Sequence, residues 1–323
     1  MPGSAPDKRK IGDFILAVSD LVVEYGTGAR ALDGASLAVA AGETVGIVGE
    51  SGSGKSTLGQ AVGRLLPGTA VRAAGEIRLA GEPVFDLRPT ELRRLRRERL
   101  GFVFQDPIAS LDPTMRVGAQ LRLVLGRHGD PLSHLERVRL ANPARVARLY
   151  PHQLSGGMAQ RVALALAMAG QPRVLVADEP TAALDAEVRE EVLDVVFTLA
   201  AEAGTTILWL SHDLTAVARR CSRVAVMYAG RVVEDGPATE VLSRPAHPYT
   251  AALARSAPAL ATLGERLTPV PGRPPVLTGP SHGCAFAPRC GYVEERCTTE
   301  RPEPQVVRGH EALCHRATEL ISL

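Results

Sequence analysis

The sequence has little net charge and no long apolar run. Its 323 residues include 37 Lys and Arg against 35 Asp and Glu, which gives a formal net charge of +2. Such a balance gives no support for a strongly basic surface, so no nucleic-acid partner is expected. The apolar stretches, such as residues 162–169 and 206–210, are far shorter than the roughly 20 residues that cross a bilayer. We therefore expect a chain that does not span a membrane.

A secretory signal is also missing, because the polar start MPGSAPDKRK is not followed by a long apolar core. We expect residues 1–13 to be disordered and the protein to stay in the cytoplasm. A reducing compartment argues against disulfides. Cys221 is expected to be structural. The other cysteines lie close together near the end of the chain and indicate a metal or cluster site, namely Cys284, Cys290, Cys297 and Cys314.

The patterns of apolar residues predict an α/β fold. Alternation in residues 14–23 and 35–39 is typical of strands in a small antiparallel β region. Residues 44–48 read as a buried strand that runs into a glycine-rich turn and a helix over 55–66. Strand and helix patterns alternate from 173 to 226, with strands at 174–177 and 206–210. A parallel sheet with crossover helices requires that alternation.

Three further segments complete the predicted organisation. Residues 117–148 have helical spacing, broken near Asp130 and Asn142, which predicts a helical subdomain within about 106–170 of a main domain over 14–256. The prolines and glycines of 257–283 predict an extended, poorly packed linker to a cysteine-bearing extension at 284–323. A basic run is interpreted as a solvated helix face, made of Arg93, Arg94, Arg96 and Arg97.

The segment GESGSGKST fits the phosphate-loop pattern and lies between a predicted strand and a predicted helix. Glycines there let backbone N–H groups converge on a phosphate, and the following helix adds its N-terminal dipole. Lys55 would reach the β- and γ-phosphate oxygens and Ser56 would bind Mg²⁺. A purely structural turn is the alternative. The predicted nucleotide-binding residues are Gly49, Glu50, Ser51, Gly52, Ser53, Gly54, Lys55, Ser56 and Thr57.

A second element, VLVADEP at residues 174–180, is an apolar strand that ends in two carboxylates. Asp178 is predicted to hold the Mg²⁺ shell and Glu179 to polarise the attacking water. The alternative is an acidic helix start, since the helix dipole favours carboxylates there. The buried strand in the same chain as a phosphate loop favours the catalytic interpretation.

The stretch LSGGMAQRV at residues 154–162 resembles the signature motif of ABC ATPases. The resemblance runs from about 20 to 316 and is nearest to the ATPase subunits of oligopeptide, dipeptide and nickel importers. It implies a P-loop ABC ATPase, with a RecA-like core sheet, an antiparallel β subdomain, a helical subdomain and a small cysteine-containing C-terminal extension. Residues 230–253 and 283–290 resemble the extension of the peptide-importer branch.

The resemblance assigns roles to further residues. Tyr25 resembles the aromatic that stacks on adenine, and an ordinary strand aromatic is the alternative. Gln105 resembles the glutamine that contacts Mg²⁺ and senses the permease. His212 resembles the switch histidine at the γ-phosphate, against a capping or core histidine. The loop that links the two sites of a dimer corresponds to Ala183, Leu184 and Asp185, and the signature that closes over the partner's ATP corresponds to Ser155, Gly156 and Gly157.

The resemblance also implies partners and a location. These are a second ABC ATPase subunit, identical or related, two membrane permeases and, indirectly, an extracytoplasmic solute-binding protein, with this chain peripheral at the cytoplasmic face of the membrane. The implied function is ATP-driven uptake of peptides or similar small solutes. The stretch between Gln105 and the signature is shorter than in most relatives, which leaves the substrate class open.

Some family members carry a [4Fe-4S] cluster, which is the first interpretation of the four C-terminal cysteines, ahead of zinc or no metal. Two other functions compete with import. One is a non-transport ABC ATPase of DNA repair or chromosome organisation, and no long coiled-coil or zinc insertion supports it. The other is an iron–sulfur sensor with an ancillary ATPase, against which the complete set of ATP-site residues argues.

Overall fold

The computed structural model describes residues 14–127, 129–182, 184–257 and 268–320. The predicted disordered start at 1–13 and part of the predicted linker lie outside these ranges. The strands are β1 (Leu16–Tyr25), β2 (Arg30–Val39), β3 (Thr44–Val48), β4 (Ala70–Leu79), β5 (Glu82–Pro83), β6 (Leu100–Val103), β7 (Val174–Asp178), β8 (Thr206–Ser211), β9 (Arg223–Tyr228), β10 (Arg231–Pro237), β11 (Gln305–Val307) and β12 (His310–Ala312). The helices are α1 (Lys55–Val62), α2 (Pro89–Arg99), α3 (Val117–Leu125), α4 (Pro131–Arg137), α5 (Pro143–Val146), α6 (Gly156–Ala169), α7 (Ala186–Ala203), α8 (Leu214–Arg220), α9 (Ala238–Ser243), α10 (Pro248–Ser256) and α11 (Glu295–Thr299).

The predicted antiparallel β region is present as a sheet in the order β2-β1-β4-β5. Strand β1 pairs antiparallel with both β2 and β4. Its buried residues, such as Leu16, Leu21 and Val23, pack with Leu58 of α1 and Ile47 of β3 in one apolar cluster. The small sheet therefore packs against the start of the main α/β unit.

The central sheet confirms the predicted α/β class. Its order is β11-β12-β10-β9-β3-β8-β7-β6, and the five strands from β9 to β6 run parallel. Strand β3 lies between β8 and β9, and its carboxyl end meets those of β7 and β8. In open α/β sheets ligands bind outside the carboxyl ends of the strands. That edge is therefore where a site is expected.

Helix α1 is shorter than predicted and ends at Val62 rather than at 66. The backbone enters the left-handed region at Arg64, with φ of 51°, which an α-helix cannot continue through. Arg96 of α2 donates hydrogen bonds to the carbonyls of Gly63 and Arg64, at 2.8 and 2.6 Å. One arginine of the basic run thus caps α1, whereas the exposed ones are Arg93, Arg94 and Arg97.

Both predicted breaks in the helical segment are confirmed. The Asp130 side chain accepts from the N–H of Leu132 at the start of α4, and that of Asn142 accepts from Arg145 at the start of α5. A proline follows each cap, at the position where a helix tolerates it. Buried side chains of α3, α4 and α6 share one core cluster. None of the described helices is long and apolar enough to cross a membrane.

The described part of the predicted linker is irregular and mostly exposed, although two of its apolar side chains contact the core. Val270 and Leu277 pack against the main core, and the Leu277 carbonyl accepts a hydrogen bond from Arg30 N–H at 2.8 Å. The described part of the linker, from 268 on, therefore contacts the main domain at these points. The predicted bounds of the main domain at 256, of the linker at 283 and of the extension at 284 stay predictions.

The extension joins the central sheet through β12, which pairs antiparallel with β10. The carboxylate of Glu234 on β10 is fully buried at this junction and accepts hydrogen bonds from the N–H groups of Ala246 and His247, at 2.7 and 3.0 Å. His310 Nε2, on β12, lies 3.0 Å from Glu234 Oε1. The carboxylate of Glu234 thus contacts both the extension, at His310, and the two residues that precede α10.

Candidate functional site

An open cleft of about 610 Å³ lies at the carboxyl ends of β3, β7 and β8. It brings together residues that are far apart in sequence, and the sequence patterns and the family resemblance predicted all of them except Ala31. Its lining is Ala31, Ser51, Gly52, Gly54, Lys55, Ser56, Thr57, Gln105, Glu179 and His212.

The phosphate loop leaves β3 and returns into the first turn of α1. Gly54 has φ of +103°, and a Cβ there would lie 2.6 Å from the Ala31 carbonyl oxygen, so only glycine fits. Lys55 Nζ donates to the carbonyls of Gly49 and Glu50, at 2.7 and 3.0 Å. Burial lowers the pKa of Lys55, and the neighbouring carboxylates oppose that shift. The loop thus forms a concave backbone with a buried cation at its base.

Two oxygen atoms that could bind a metal ion lie close together beside this loop. Ser56 Oγ donates to Asp178 Oδ1 at 3.0 Å, which places the start of α1 against the end of β7. Burial raises the pKa of Asp178, Glu179 adds to the rise, and the hydrogen bond from Ser56 opposes it. Hydroxyl and carboxylate oxygens are the ligands that Mg²⁺ prefers, and Gln105 lines the same cleft.

Glu179 and His212 form the second polar pair of the cleft. His212 Nδ1 lies 3.0 Å from Glu179 Oε1. The backbone of Glu179 is in the left-handed region with φ of 44°, an uncommon and costly conformation for a residue with a side chain. Its N–H donates to the Leu210 carbonyl of β8 at 2.9 Å, which fixes the residue at the strand end. The carboxylate is thereby held at the cleft and is 19% exposed.

Other predicted nucleotide-site residues do not line this cleft. The Tyr25 hydroxyl is 3.2 Å from Thr57 Oγ1. Ser155 caps α6 by accepting from the Met158 N–H, and it is exposed. Asp185 caps α7 by accepting from the N–H of Val188.

The signature glycines lie beside the start of α7. A Cβ on Gly157 would lie 2.9 Å from the Val188 side chain, and one on Gly156 would lie 3.7 Å from Leu184. The described parts of the signature and of the predicted dimer-linking loop are therefore neighbours outside the chain's own cleft. Ala183 lies outside the described residues.

Sequence reasoning missed two residues that contact the phosphate loop. The Glu50 N–H donates to the Tyr249 hydroxyl at 2.8 Å, and Arg289 pairs with the Glu50 carboxylate at 2.7 and 3.0 Å. They lie 199 and 239 positions from Glu50, so no local pattern links them to it. The available signal was that both lie in the segments, 230–253 and 283–290, that resemble the peptide-importer extension.

The four C-terminal cysteines line one small cavity of about 20 Å³, next to Phe286. Burial raises the pKa values of Cys284 and Cys290, and that of Cys314 to about 12. Within the described ranges, no three His, Cys, Asp or Glu side chains are arranged to hold a metal ion. Thiolates are ligands of soft metals, but the arrangement of these side chains gives a bound metal or cluster no support. Cys221 is buried in the main core, in agreement with a structural role.

Comparisons with known proteins agree with this geometry. Residues 32–182 match the ABC transporter family, and residues 233–297 match the oligopeptide/dipeptide transporter C-terminal region. The chain is 40% identical to a probable peptide ABC transporter ATP-binding protein of Sinorhizobium fredii, over 96% of this chain and 97% of the relative. It is 38% identical to the oligopeptide transport ATP-binding protein OppD of Escherichia coli, over 98% and 97%.

Solved structures add the assembled state of similar proteins. A dimeric ATP-binding cassette in a post-hydrolysis state, bound to ADP and Pi, matches with a TM-score of 0.62 and 32% identity, over 69% of this chain and 98% of that one. The cbiO1 protein of Clostridium perfringens, part of an ABC transporter complex, matches with a TM-score of 0.61 and 31% identity, over 72% and 91%. The fold, the cleft and these similarities agree, and the chain belongs to the ABC transporter family as an ABC ATPase with the oligopeptide/dipeptide transporter C-terminal region.

Proposed function

We propose that this ATPase energises uptake of peptides or similar small solutes through partner membrane permeases. The observation that carries the proposal is the convergence of Lys55, Ser56, Gln105, Glu179 and His212 in one cleft. The names of the full-length relatives, which are peptide and oligopeptide transport proteins, support the solute class. They also disfavour a DNA-repair ATPase and an iron–sulfur sensor.

The cleft supplies two binding functions. The backbone of the loop and Lys55 would bind the ATP phosphates, since N–H groups at a helix start and a buried cation both favour anions. Ser56, Gln105 and Asp178 would hold Mg²⁺, which neutralises charge on the phosphate oxygens. The Ser56 to Asp178 hydrogen bond at 3.0 Å supports this assignment because it already places the two oxygens together. Tyr25 would stack on adenine.

Glu179 is placed to act as the base for hydrolysis. Its carboxylate would take a proton from water while the water oxygen bonds to the γ-phosphorus and the bond to the ADP oxygen breaks. His212 holds Glu179 Oε1 at 3.0 Å, which fixes the direction of the carboxylate. His212 would also contact the γ-phosphate, so one side chain joins nucleotide and base.

A second subunit would complete the site. Ser155 and Gly156 at the signature start are exposed, Gly157 is half-buried, and none of the three lines the chain's own cleft. In a head-to-tail dimer these residues would close over the partner's ATP, and Asp185 would link the two sites. The dimeric cassette among similar solved structures supports such pairing. ATP would close the dimer and hydrolysis would open it, which drives the permeases.

We place the protein at the cytoplasmic face of the membrane, peripheral to two permeases and served by an extracytoplasmic solute-binding protein. The finer cofactor proposal is a [4Fe-4S] cluster on Cys284, Cys290, Cys297 and Cys314, and it rests on their shared cavity alone. The four thiolates would be the ligands, since four cysteines can hold such a cluster. Anaerobic purification with iron and sulfide analysis tests it, and iron-free protein with full ATPase activity refutes it.

The function is tested with Glu179→Gln, which removes the proton acceptor but keeps the side-chain shape. We expect ATP binding to persist and hydrolysis to fall at least ~100-fold. Glu187→Gln is the matched control, because Glu187 is exposed in the first turn of α7. Normal turnover of Glu179→Gln would remove the residue from the role.

The transport role is tested by capture of tagged Glu179→Gln with ATP from detergent-solubilised membranes of its own cell, followed by mass spectrometry. Two permeases of a peptide importer among the captured proteins are the expected result. Capture of soluble partners alone, with the chain absent from membranes, would overturn the import proposal.

A further inference from the structure

The C-terminal extension contacts the phosphate loop through an ion pair between Arg289 and Glu50. Glu50 lies within the loop but does not line the cleft. Its two carboxylate oxygens accept from Arg289 Nη1 at 2.7 Å and Nη2 at 3.0 Å, a two-bond pairing that fixes direction as well as distance. The Arg289 side chain is only 4% exposed. Solvent therefore screens this ion pair little.

The guanidinium of Arg289 is held on its other sides. Nη1 also donates to the Tyr228 hydroxyl at 3.2 Å, and Nε donates to the Pro271 carbonyl. The guanidinium carbon lies 5.6 and 5.7 Å from the ring centres of Tyr228 and Phe286. The hydrogen bond with Glu50 keeps the pKa of Arg289 above its usual value. Arg289 is thus a permanently charged and pre-oriented partner for the loop.

Glu50 is held at each of its polar groups. Its N–H donates to the Tyr249 hydroxyl at 2.8 Å, its carbonyl accepts from Lys55 at 3.0 Å, and its carboxylate pairs with Arg289. The bond from Lys55 competes with the contact that Lys55 makes with phosphate. The bonds with Tyr249 and Arg289 do not compete, because neither residue lines the cleft. These two contacts can persist when nucleotide is bound.

We propose that Arg289, acting through Glu50, is a positioning residue that holds the phosphate loop in its ATP-binding shape. The four-cysteine extension is thereby part of the ATP site. Arg289 follows Phe286 in a short turn, with its N–H donating to the Phe286 carbonyl at 2.9 Å, and it directly precedes Cys290. The packing of the cysteine cavity therefore sets the place of the arginine. This inference rests on the ATP site of the proposed function.

The test compares ATP affinity and turnover in full-length variants. Arg289→Gln removes the ion pair, and we expect the Kd for Mg-ATP to rise about tenfold, with kcat changed less than about threefold, because a displaced loop weakens binding before chemistry. Arg289→Lys keeps the charge but not the two-bond geometry, so its affinity for Mg-ATP should lie between those of Arg289→Gln and the unmodified protein. Tyr249→Phe removes the other contact to Glu50 and weakens binding independently.

A double variant separates positioning from general stability. If Arg289 acts through Glu50, Glu50→Gln weakens ATP binding and adding Arg289→Gln weakens it little further. Arg301→Gln is the matched control, because Arg301 also joins the extension to the main domain, through Asp33 at 2.7 Å, but does not contact the loop. It should lower the melting temperature and leave the Kd for ATP unchanged.

Three outcomes overturn the proposal. They are an unchanged Kd in Arg289→Gln, additive effects in the double variant, and an equal loss of affinity in Arg301→Gln. Failure of the import proposal gives a different result, since capture from membranes would then recover no permeases while these ATP affinities keep their pattern. A wrong nucleotide site would instead show as unmodified protein that does not bind Mg-ATP.

Discussion

The buried carboxylate of Glu234 gives a sharp prediction about how the extension contributes to folding. Its oxygens accept from two backbone N–H groups, of Ala246 and His247, and Oε1 lies 3.0 Å from His310 Nε2. Glu234→Ala removes all three contacts at a fully buried site. Each of the two buried backbone donors that lose their acceptor costs about 1–3 kcal/mol. Water that enters the vacated space offsets part of this, so we expect a loss of about 4 kcal/mol in the free energy of unfolding.

The expected shift in melting temperature follows from the size of the chain. Unfolding entropy is about 2.1 cal/mol/K per residue, which gives about 0.7 kcal/mol/K for a chain of this length, so Glu234→Ala should melt about 6 °C lower. Differential scanning calorimetry measures the shift. Glu234→Gln keeps one acceptor oxygen and should lose about half as much.

Glu311→Gln is the matched control for this prediction. Glu311 is next to His310 on β12, and it is exposed. Its substitution should change stability by less than about 0.5 kcal/mol. If Glu234→Ala melts with the unmodified protein, then the extension does not depend on this carboxylate and the reasoning fails.

Three further predictions concern other parts of the molecule. Gly54→Ala should abolish ATP binding and lower the free energy of unfolding by about 2–4 kcal/mol. Gly42→Ala, also at positive φ but with no atom within 4 Å of its Cβ, should lower it by only about 1 kcal/mol, and nucleotide binding and urea unfolding distinguish the two. Arg161→Met removes hydrogen bonds from the signature helix to the Val138 carbonyl and Glu191, at 3.1 and 2.5 Å, and should cost about 2 kcal/mol in urea unfolding, with a neutral result contradicting their role. Burial raises the pKa of Cys221 to about 12, so at pH 8 about one thiol in 10⁴ is ionised; iodoacetamide should label it only after unfolding, and rapid labelling of native protein would refute this.

Local patterns predicted the elements that bury a continuous apolar face. The strand β7 (Val174–Asp178) is buried along its whole length, so its sequence shows the apolar run that a central parallel strand needs. Strand β4 (Ala70–Leu79) was missed because four successive residues in its first half are exposed and only Ile77 and Leu79 are buried, so its sequence shows no sustained alternation. Strands β11 and β12 have three residues each, too few for any periodicity.

The residues of the candidate site also divide into those that local sequence predicted and those that it did not. The glycines and Lys55 act through backbone conformation and local sequence, and they were predicted. The contacts of Glu50 with Tyr249 and Arg289 were not predicted, because they depend on the chain returning after 199 and 239 residues. Sequence spacing carries no information on such pairs without the fold. The position of Ala31 in the cleft was missed because its carbonyl oxygen, not its side chain, approaches Gly54.

The pairing of β12 with β10 limits how this protein can be cut or recombined. A chain ended after α10 would leave the outer edge of β10 unpaired, and an open edge strand is a template for aggregation. It would also leave Glu50, Asp33 and Glu234 without their partners from the extension. A chimera that exchanges tails between relatives must therefore bring matching arginines and a matching histidine. The nucleotide-binding cassette and its C-terminal extension therefore have to be exchanged together.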